Sequence, residues 1–174
     1  MTDKICIRPL TREDVPATHA FMRFILDHDY ETGFRPEWHG DIEDLAGSYL
    51  DNPRQRLFVA DDNGQIVGTA AIRHRSPQQW FPGRYDPEHT CELGRVYVAP
   101  THRRRGLAQR LSEAARRWAL KNGYQMVSLH TESTNGPALA LWTKLCTRVD
   151  PEEEGPPNTV FFELPIDRPI APEA

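Results

Sequence analysis

The sequence predicts an α/β fold: a mixed central β-sheet of about six to seven strands flanked by helices on both faces. Three observations predict it. Asp61-Asp-Asn-Gly64 separates two apolar runs and reads as a hairpin turn, because Asn-Gly supplies the positive backbone angles that a tight turn needs. Residues 92–98 form a strand that passes through a short basic turn into 106–120, where Leu107, Leu111, Ala114, Ala115 and Trp118 recur at helical spacing. Residues 126–131, 137–145 and 159–164 then read as strand, helix and strand, so a strand–helix–strand unit occupies the second half.

The remaining elements follow in order. Ile5 and Ile7 alternate with polar neighbours as a first strand that Pro9 closes. Thr11-Arg-Glu-Asp14 has the form of a capping box and starts a helix over 12–29, with Val15, Ala17, Phe21, Phe24 and Ile25 facing inward. Residues 42–50 read as one short helix between Asp41 and Asn52-Pro53. Residues 75–90 hold three prolines, a glycine and the aromatics Trp80, Phe81 and Tyr85, which describes an ordered loop. The fourth strand has a fault in its alternation. Leu93 and Val96 cannot share a face while Val96 and Val98 can, so the phase slips at Gly94-Arg95, as a β-bulge would cause. Asn122-Gly123 ends the following helix.

Composition narrows the function. The chain has 174 residues, 39% hydrophobic and 26% charged, which suits a single domain with a core over about 4–164 and a loose tail over 165–174. A net charge of −4 argues against a general nucleic-acid or anionic-membrane binder, so the arginine run is a local device. No apolar run approaches the roughly 20 residues a bilayer requires. Cys6, Cys91 and Cys146 are scattered and no secretory leader precedes them, which leads us to expect reduced thiols and a cytoplasmic location. Seven histidines show no metal spacing, so no metal is expected.

The chemistry concentrates where the fourth strand meets the helix, at Val98-Ala-Pro-Thr-His-Arg-Arg-Arg-Gly106-Leu-Ala108. A helix start presents unsatisfied amides and a partial positive charge, small residues let an anion reach the backbone, and arginines add charge. That combination suits a diphosphate.

Together, Glu92-Leu-Gly-Arg-Val-Tyr-Val98 and the Arg103 to Ala108 turn resemble motif A of the GNAT superfamily of acetyl-CoA-dependent N-acetyltransferases, whose signature is (Arg or Gln)-x-x-Gly-x-(Gly or Ala). Asn135-Gly-Pro-Ala138-Leu-Ala-Leu-Trp142-Thr-Lys144 resembles the second family motif, and the N-terminal Ile-Arg-Pro-Leu-Thr-Arg-Glu-Asp14 and Ile66-Val-Gly68 also fit. The resemblance spans about residues 5–164. It implies the GNAT fold with splayed strands at the acetyl-CoA site, and acetyl transfer to a primary amine of a small molecule or protein by direct attack in a ternary complex. It implies that the backbone of Val96, Tyr97 and Val98 pairs with the pantetheine arm. Arg103, Arg104, Arg105, Gly106, Leu107 and Ala108 would hold the phosphates, and Asn135 would meet the cofactor from the neighbouring strand. The family also makes a homodimer an expectation.

For the proton, Glu92 lies eleven residues before Arg103, as the family's catalytic glutamate does in some members, and a raised pKa would help it act as a base. The alternative is that Glu92 pairs with an arginine. Trp142 stands where many members have the tyrosine that protonates the leaving thiolate, and an indole N–H is no acid. His130, Ser133 or a water would then substitute, or His130 is a plain strand residue. Trp80 and Tyr85, with Phe81, His74 and His89, either line the acceptor pocket or cover the sheet. Glu152-Glu-Glu154 reads as a solvated loop or as a neighbour of the acceptor mouth. A non-catalytic acyl-CoA-binding regulatory module is the alternative function.

Overall fold

The structure, a computed structural model, describes residues 5–151 and 155–170. Seven strands form one mixed sheet in the order β1-β2-β3-β4-β5-β7-β6. They are β1 (Cys6–Pro9), β2 (Arg56–Asp62), β3 (Gln65–Arg73), β4 (Thr90–Val98), β5 (Met126–Glu132), β6 (Thr147–Val149) and β7 (Thr159–Leu164). Among the described residues five α-helices accompany them: α1 (Val15–Asp29), α2 (Gly40–Glu43), α3 (Leu45–Tyr49), α4 (Leu107–Lys121) and α5 (Gly136–Leu145). Seven lies within the six to seven expected, and β6 is the edge strand that the sequence did not locate. Three residues are too few to carry a periodic signal. The acidic run at 152–154 and the last four residues lie outside the described residues. No helix among the described residues is long and apolar enough to cross a membrane.

The chain divides into two compact units, the first comprising residues up to Ala71 with Arg95–Ala115, the second Ile72–Gly94 with the chain from Arg116 onward. In the first, β1 pairs antiparallel with β2 from Cys6↔Asp61 to Pro9↔Phe58. The hairpin turns on Asn63 (φ 53°) and Gly64 (φ 91°), the two left-handed residues of a type I′ turn. Arg8 ties strand to turn by bonding Asp14 at 2.6 Å and Asp61 at 2.8 Å. The Asp14 carboxylate also accepts from the amide and hydroxyl of Thr11, and the hydrogen bonds from Arg8 hold it well below the usual carboxylate range.

Two details depart from expectation. In α1 the buried residues are Thr18, Met22, Ile25 and Leu26, while Ala17 is exposed and Phe24 is 52% exposed, its ring against His28. Phe21, Phe24, Ile25 and Leu26 cover so wide an arc that several helical phases fit, and core contacts select one. The single helix expected over 42–50 is two helices, because Asp44 leaves helical geometry (φ −120°, ψ 70°) and its side chain caps α3 by accepting from the Gly47 amide.

In the second unit β4 and β5 pair parallel at Thr90↔Met126, Cys91↔Val127 and Glu92↔Ser128. β5 pairs antiparallel with β7 from Val127↔Leu164 to Glu132↔Thr159, and β7 with β6. The aromatic loop lies on β7: Phe81 and Tyr85 are buried with Phe161, and Trp80 packs against the same ring. Along α4, Leu107, Leu111, Ala115 and Ala119 are buried, Ala114 and Trp118 half-buried, and the polar Ser112, Glu113 and Arg116 are buried too. The helix thus buries more than the single apolar stripe its spacing suggested. It closes at Gly123 (φ 85°), where the Tyr124 amide bonds the Ala119 carbonyl.

Replacing Asp44 with alanine removes the cap of α3. The expected loss is about 1 kcal/mol in urea unfolding with an unchanged m-value.

Candidate active site

In the first unit, the strand-to-helix junction is built by backbone geometry. Beyond Val98 the Ala99 amide bonds the Val67 carbonyl at 2.8 Å, and a single 3-10 turn (Pro100–His102) redirects the chain. His102 bonds Asp62 at 3.1 Å and anchors that turn to the hairpin. Arg104 (φ 64°) and Gly106 (φ 72°) are both left-handed, the alternation that turns successive amides toward one concavity able to hold an anion. Leu107 is buried and begins α4, and the Arg110 amide bonds the Gly106 carbonyl as its first helical bond. Nothing lies within 4 Å of where a Gly106 side chain would start, so its requirement is conformational, with an open approach to the backbone.

The three arginines differ. Arg103 donates to the Val98 carbonyl at 3.0 Å and pairs with Asp29 at the end of α1, so its side chain braces the turn. Arg104 and Arg105 are exposed. A backbone irregularity is present where the bulge was expected: Arg95 is a non-glycine residue with φ 54° inside β4. Val96 and Val98 are half-buried and Tyr97 is buried.

In the second unit Glu92 is the centre. Its carboxylate is 6% exposed and meets Arg73, Arg75 (Nε at 3.2 Å) and His130 (Nδ1 at 3.9 Å). A side chain on Gly94 would stand 2.8 Å from the Arg73 guanidinium, so the missing Cβ makes room for that pair. Desolvation is the largest influence on Glu92 and pushes its carboxyl up, but the charges of Arg73, His130 and Arg75 and the Arg73 hydrogen bond together prevail, and the group is held below the ordinary glutamate range. The shift is opposite to the one that would help a base, and it follows from the arginine pairing that was the alternative reading. Arg73 and Arg75, which sequence reasoning did not single out, are the reason. Nothing local marks them, since Arg73 ends β3 and Arg75 lies two residues beyond it, nineteen and seventeen positions before Glu92.

His130 is 41% exposed and its ring lies near Phe161, so it reaches solvent with a carboxylate behind it. Asn135 accepts from the Ala138 amide at 3.3 Å and caps α5, while its own amide bonds the Glu132 carbonyl at 3.0 Å and its carbonyl accepts from the Leu139 amide at 2.9 Å. Trp142 is buried in α5. Tyr85 donates to Glu163 at 2.9 Å, beside Arg84 on the same carboxylate, and burial pushes its phenol up to about 12. Burial also raises the Cys91 thiol far above its usual value and pushes Cys146 up to about 12, so neither rests as a thiolate. No group of three His, Cys, Asp or Glu residues able to hold a metal occurs among the described residues.

Glu92→Gln leaves two guanidiniums without their buried counter-charge. At neutral pH the expected loss is about 3–5 kcal/mol by urea unfolding. A depressed folded pKa stabilises the fold above the unfolded glutamate value of about 4.3 and loses that contribution as pH falls through the folded value. The gap between wild type and variant should therefore narrow in acid.

Comparison with known proteins places these features. Residues 20–146 match the acetyltransferase (GNAT) family. N-acetyltransferase 8 of Mus musculus is 28% identical over 124 residues, 70% of this chain and 51% of that protein. The chain spans about half or less of the length of the curated relatives it matches. A GNAT-family acetyltransferase from Staphylococcus aureus superposes with a TM-score of 0.73 at 14% identity, covering 92% of this chain and 98% of that one. The PaiA N-acetyltransferase of Thermoplasma acidophilum, solved in complex with coenzyme A, gives 0.68 at 16%, again over 92% and 98%. At these identities the structural likeness is one of fold, and the matched residues run from α1 to the end of α5. The chain belongs to the GNAT acetyltransferase family.

Proposed function

We propose that this protein is an N-acetyltransferase that moves the acetyl group of acetyl-CoA to a primary amine by direct attack. The observation that carries the reading is the succession, along one stretch of chain, of a β4 strand bulged at Arg95 and the left-handed basic turn at Arg104 and Gly106 that opens α4. In this reading backbone groups of Val96, Tyr97 and Val98, beyond the bulge, meet the pantetheine arm. The turn presents the amides of residues 103–108 to the diphosphate, with Arg104 and Arg105 supplying charge and Arg103 bracing. A relative of the same fold is described with coenzyme A bound.

The reaction asks little of covalent chemistry. The neutral amine attacks the thioester carbon, a C–N bond forms, and the carbonyl electrons move to an oxyanion that an amide of Val96 or Tyr97 holds. Such a preorganised donor contributes roughly 3–4 kcal/mol. The C–S bond then breaks and the thiolate departs. A thiol of pKa about 8.5 leaves acceptably without an enzymic acid, which fits the buried indole of Trp142. The raised thiols of Cys91 and Cys146 support direct attack over an acyl-cysteine route.

His130 takes the amine proton, and Glu92, ionised and behind it, stabilises the imidazolium that forms. Glu92 remains the alternative acceptor through water. The acceptor is an amine of a small molecule or a protein.

Calorimetry with acetyl-CoA and thiol release on an amine panel test the reading. Wild type should bind and turn over. Gly106→Glu, which strains the turn and sets a carboxylate at the anion site, should weaken binding at least about tenfold. His130→Gln should lower kcat by about 10²-fold with acetyl-CoA binding intact. Binding without turnover on any amine would favour a non-catalytic acyl-CoA sensor. No binding at all would sink the family mechanism for this chain.

A further inference from the structure

Arg95 adopts a conformation that β-strands exclude and that side chains with a Cβ rarely enter, so something must hold it there. Four contacts of the first unit converge on it. The Thr69 hydroxyl donates to the Arg95 carbonyl at 2.8 Å, where a regular ladder would place a backbone amide. The Arg95 guanidinium grips Asp41 with two bonds of 3.0 and 2.7 Å and donates to the Trp38 carbonyl at 2.9 Å. Tyr49 in turn donates its hydroxyl to Asp41. The set is largely buried: the side chains of Arg95 and Asp41 are 11% and 17% exposed, and Thr69 and Tyr49 are fully buried, with the bond to the Trp38 carbonyl at the exposed edge.

We propose that Asp41 and Thr69 are positioning residues for acetyl transfer, a claim that rests on the function proposed above. Thr69 takes over the Arg95 carbonyl, and Asp41 draws the guanidinium toward the segment that holds α2 and α3. Held at both ends, the residue keeps φ positive, and the next amides, Val96 and Tyr97, stay aimed at the reacting carbonyl. Either contact alone leaves a way back to a regular strand. With the carbonyl released the peptide plane can rotate, and with the guanidinium released the side chain no longer opposes that rotation. The latch also joins the α1–α2 connection to β4, because Arg95 binds the backbone of Trp38.

The test compares wild type with Thr69→Val, Asp41→Asn, Asp41→Ala and Asp41→Glu, using Ile25→Val as a core variant that touches none of these groups. Amide hydrogen exchange at Val96 and Tyr97 in the ligand-free protein reads the latch without reference to activity. Thr69→Val and Asp41→Ala should change that exchange by about tenfold or more. They should lower kcat by about 10²-fold, the effect expected of a displacement near 1 Å, with CoA affinity unchanged because the arginine turn is intact. Asp41→Glu should recover part of kcat. The proposal fails if exchange at Val96 and Tyr97 is unaltered, or if kcat falls no further than in Ile25→Val. Should Asp41→Ala not fold, Thr69→Val and Asp41→Asn decide the matter alone. Wild type that releases no thiol with any amine overturns the proposed reaction and with it this role, while the exchange data still show whether the latch holds the bulge.

Discussion

A strand whose amides also serve a ligand, the role proposed for β4, cannot give all of them to its neighbours, and β4 departs from regular strand geometry at one residue. Up to Glu92 it is an ordinary buried strand, in parallel register with β5. At Arg95 the backbone turns left-handed, and from there the chain runs through half-buried valines into the basic turn. An isolated residue in that conformation costs roughly 1–2 kcal/mol relative to its preferred geometry. The ion pair to Asp41 and the hydroxyl of Thr69 offset that strain. A strained strand with buried braces on both sides is a preorganised one: its amides need not reorient when charge develops.

This explains which parts of the molecule were legible in the sequence. The hairpin, the bulge, the basic turn and the helix stop at Gly123 are local devices, written as Asn-Gly, a slip of phase, Arg-Arg-Arg-Gly and Asn-Gly, and the structure places each of them there. What fills their surroundings was not legible. Asp41 is 54 positions from Arg95 and Thr69 is 26, and nothing in the spacing of an aspartate before a short helix or a threonine in a strand says what it will bind. The same holds for Arg73 and Arg75 around Glu92. The split at Asp44 shows the opposite case. Its side chain accepts from an amide only three residues away, a local signal that the apolar run Ile42, Leu45, Leu50 concealed.

At Glu92 the electrostatics favour one of the two readings the sequence offered. Reading it as a base asks for a carboxylate whose proton affinity has been lifted toward neutrality, and burial alone would do that. Two guanidiniums and an imidazole outweigh the burial. A carboxylate so held is a poor proton acceptor but a strong fixed charge. Fixed charge is what a neighbouring imidazole needs if it is to carry a proton for part of a catalytic cycle, and His130 is the exposed member of the group.

Under the proposed reaction, the arrangement also bears on the leaving group. Acyl transfer through an enzyme thiol would need a cysteine held as thiolate by nearby positive charge. Cys91 instead lies buried next to the Glu92 charge, and Cys146 is desolvated, so both are held protonated. With Trp142 unable to donate a proton, the departing thiolate of CoA must be acceptable in its own right, and at a pKa of about 8.5 it is. The demanding step is then the attack, whose barrier falls with orientation and with a donor aimed at the oxyanion. Both depend on the backbone at Val96 and Tyr97, so a chain without the usual tyrosine leans more heavily on the geometry of its bulge than one that has it.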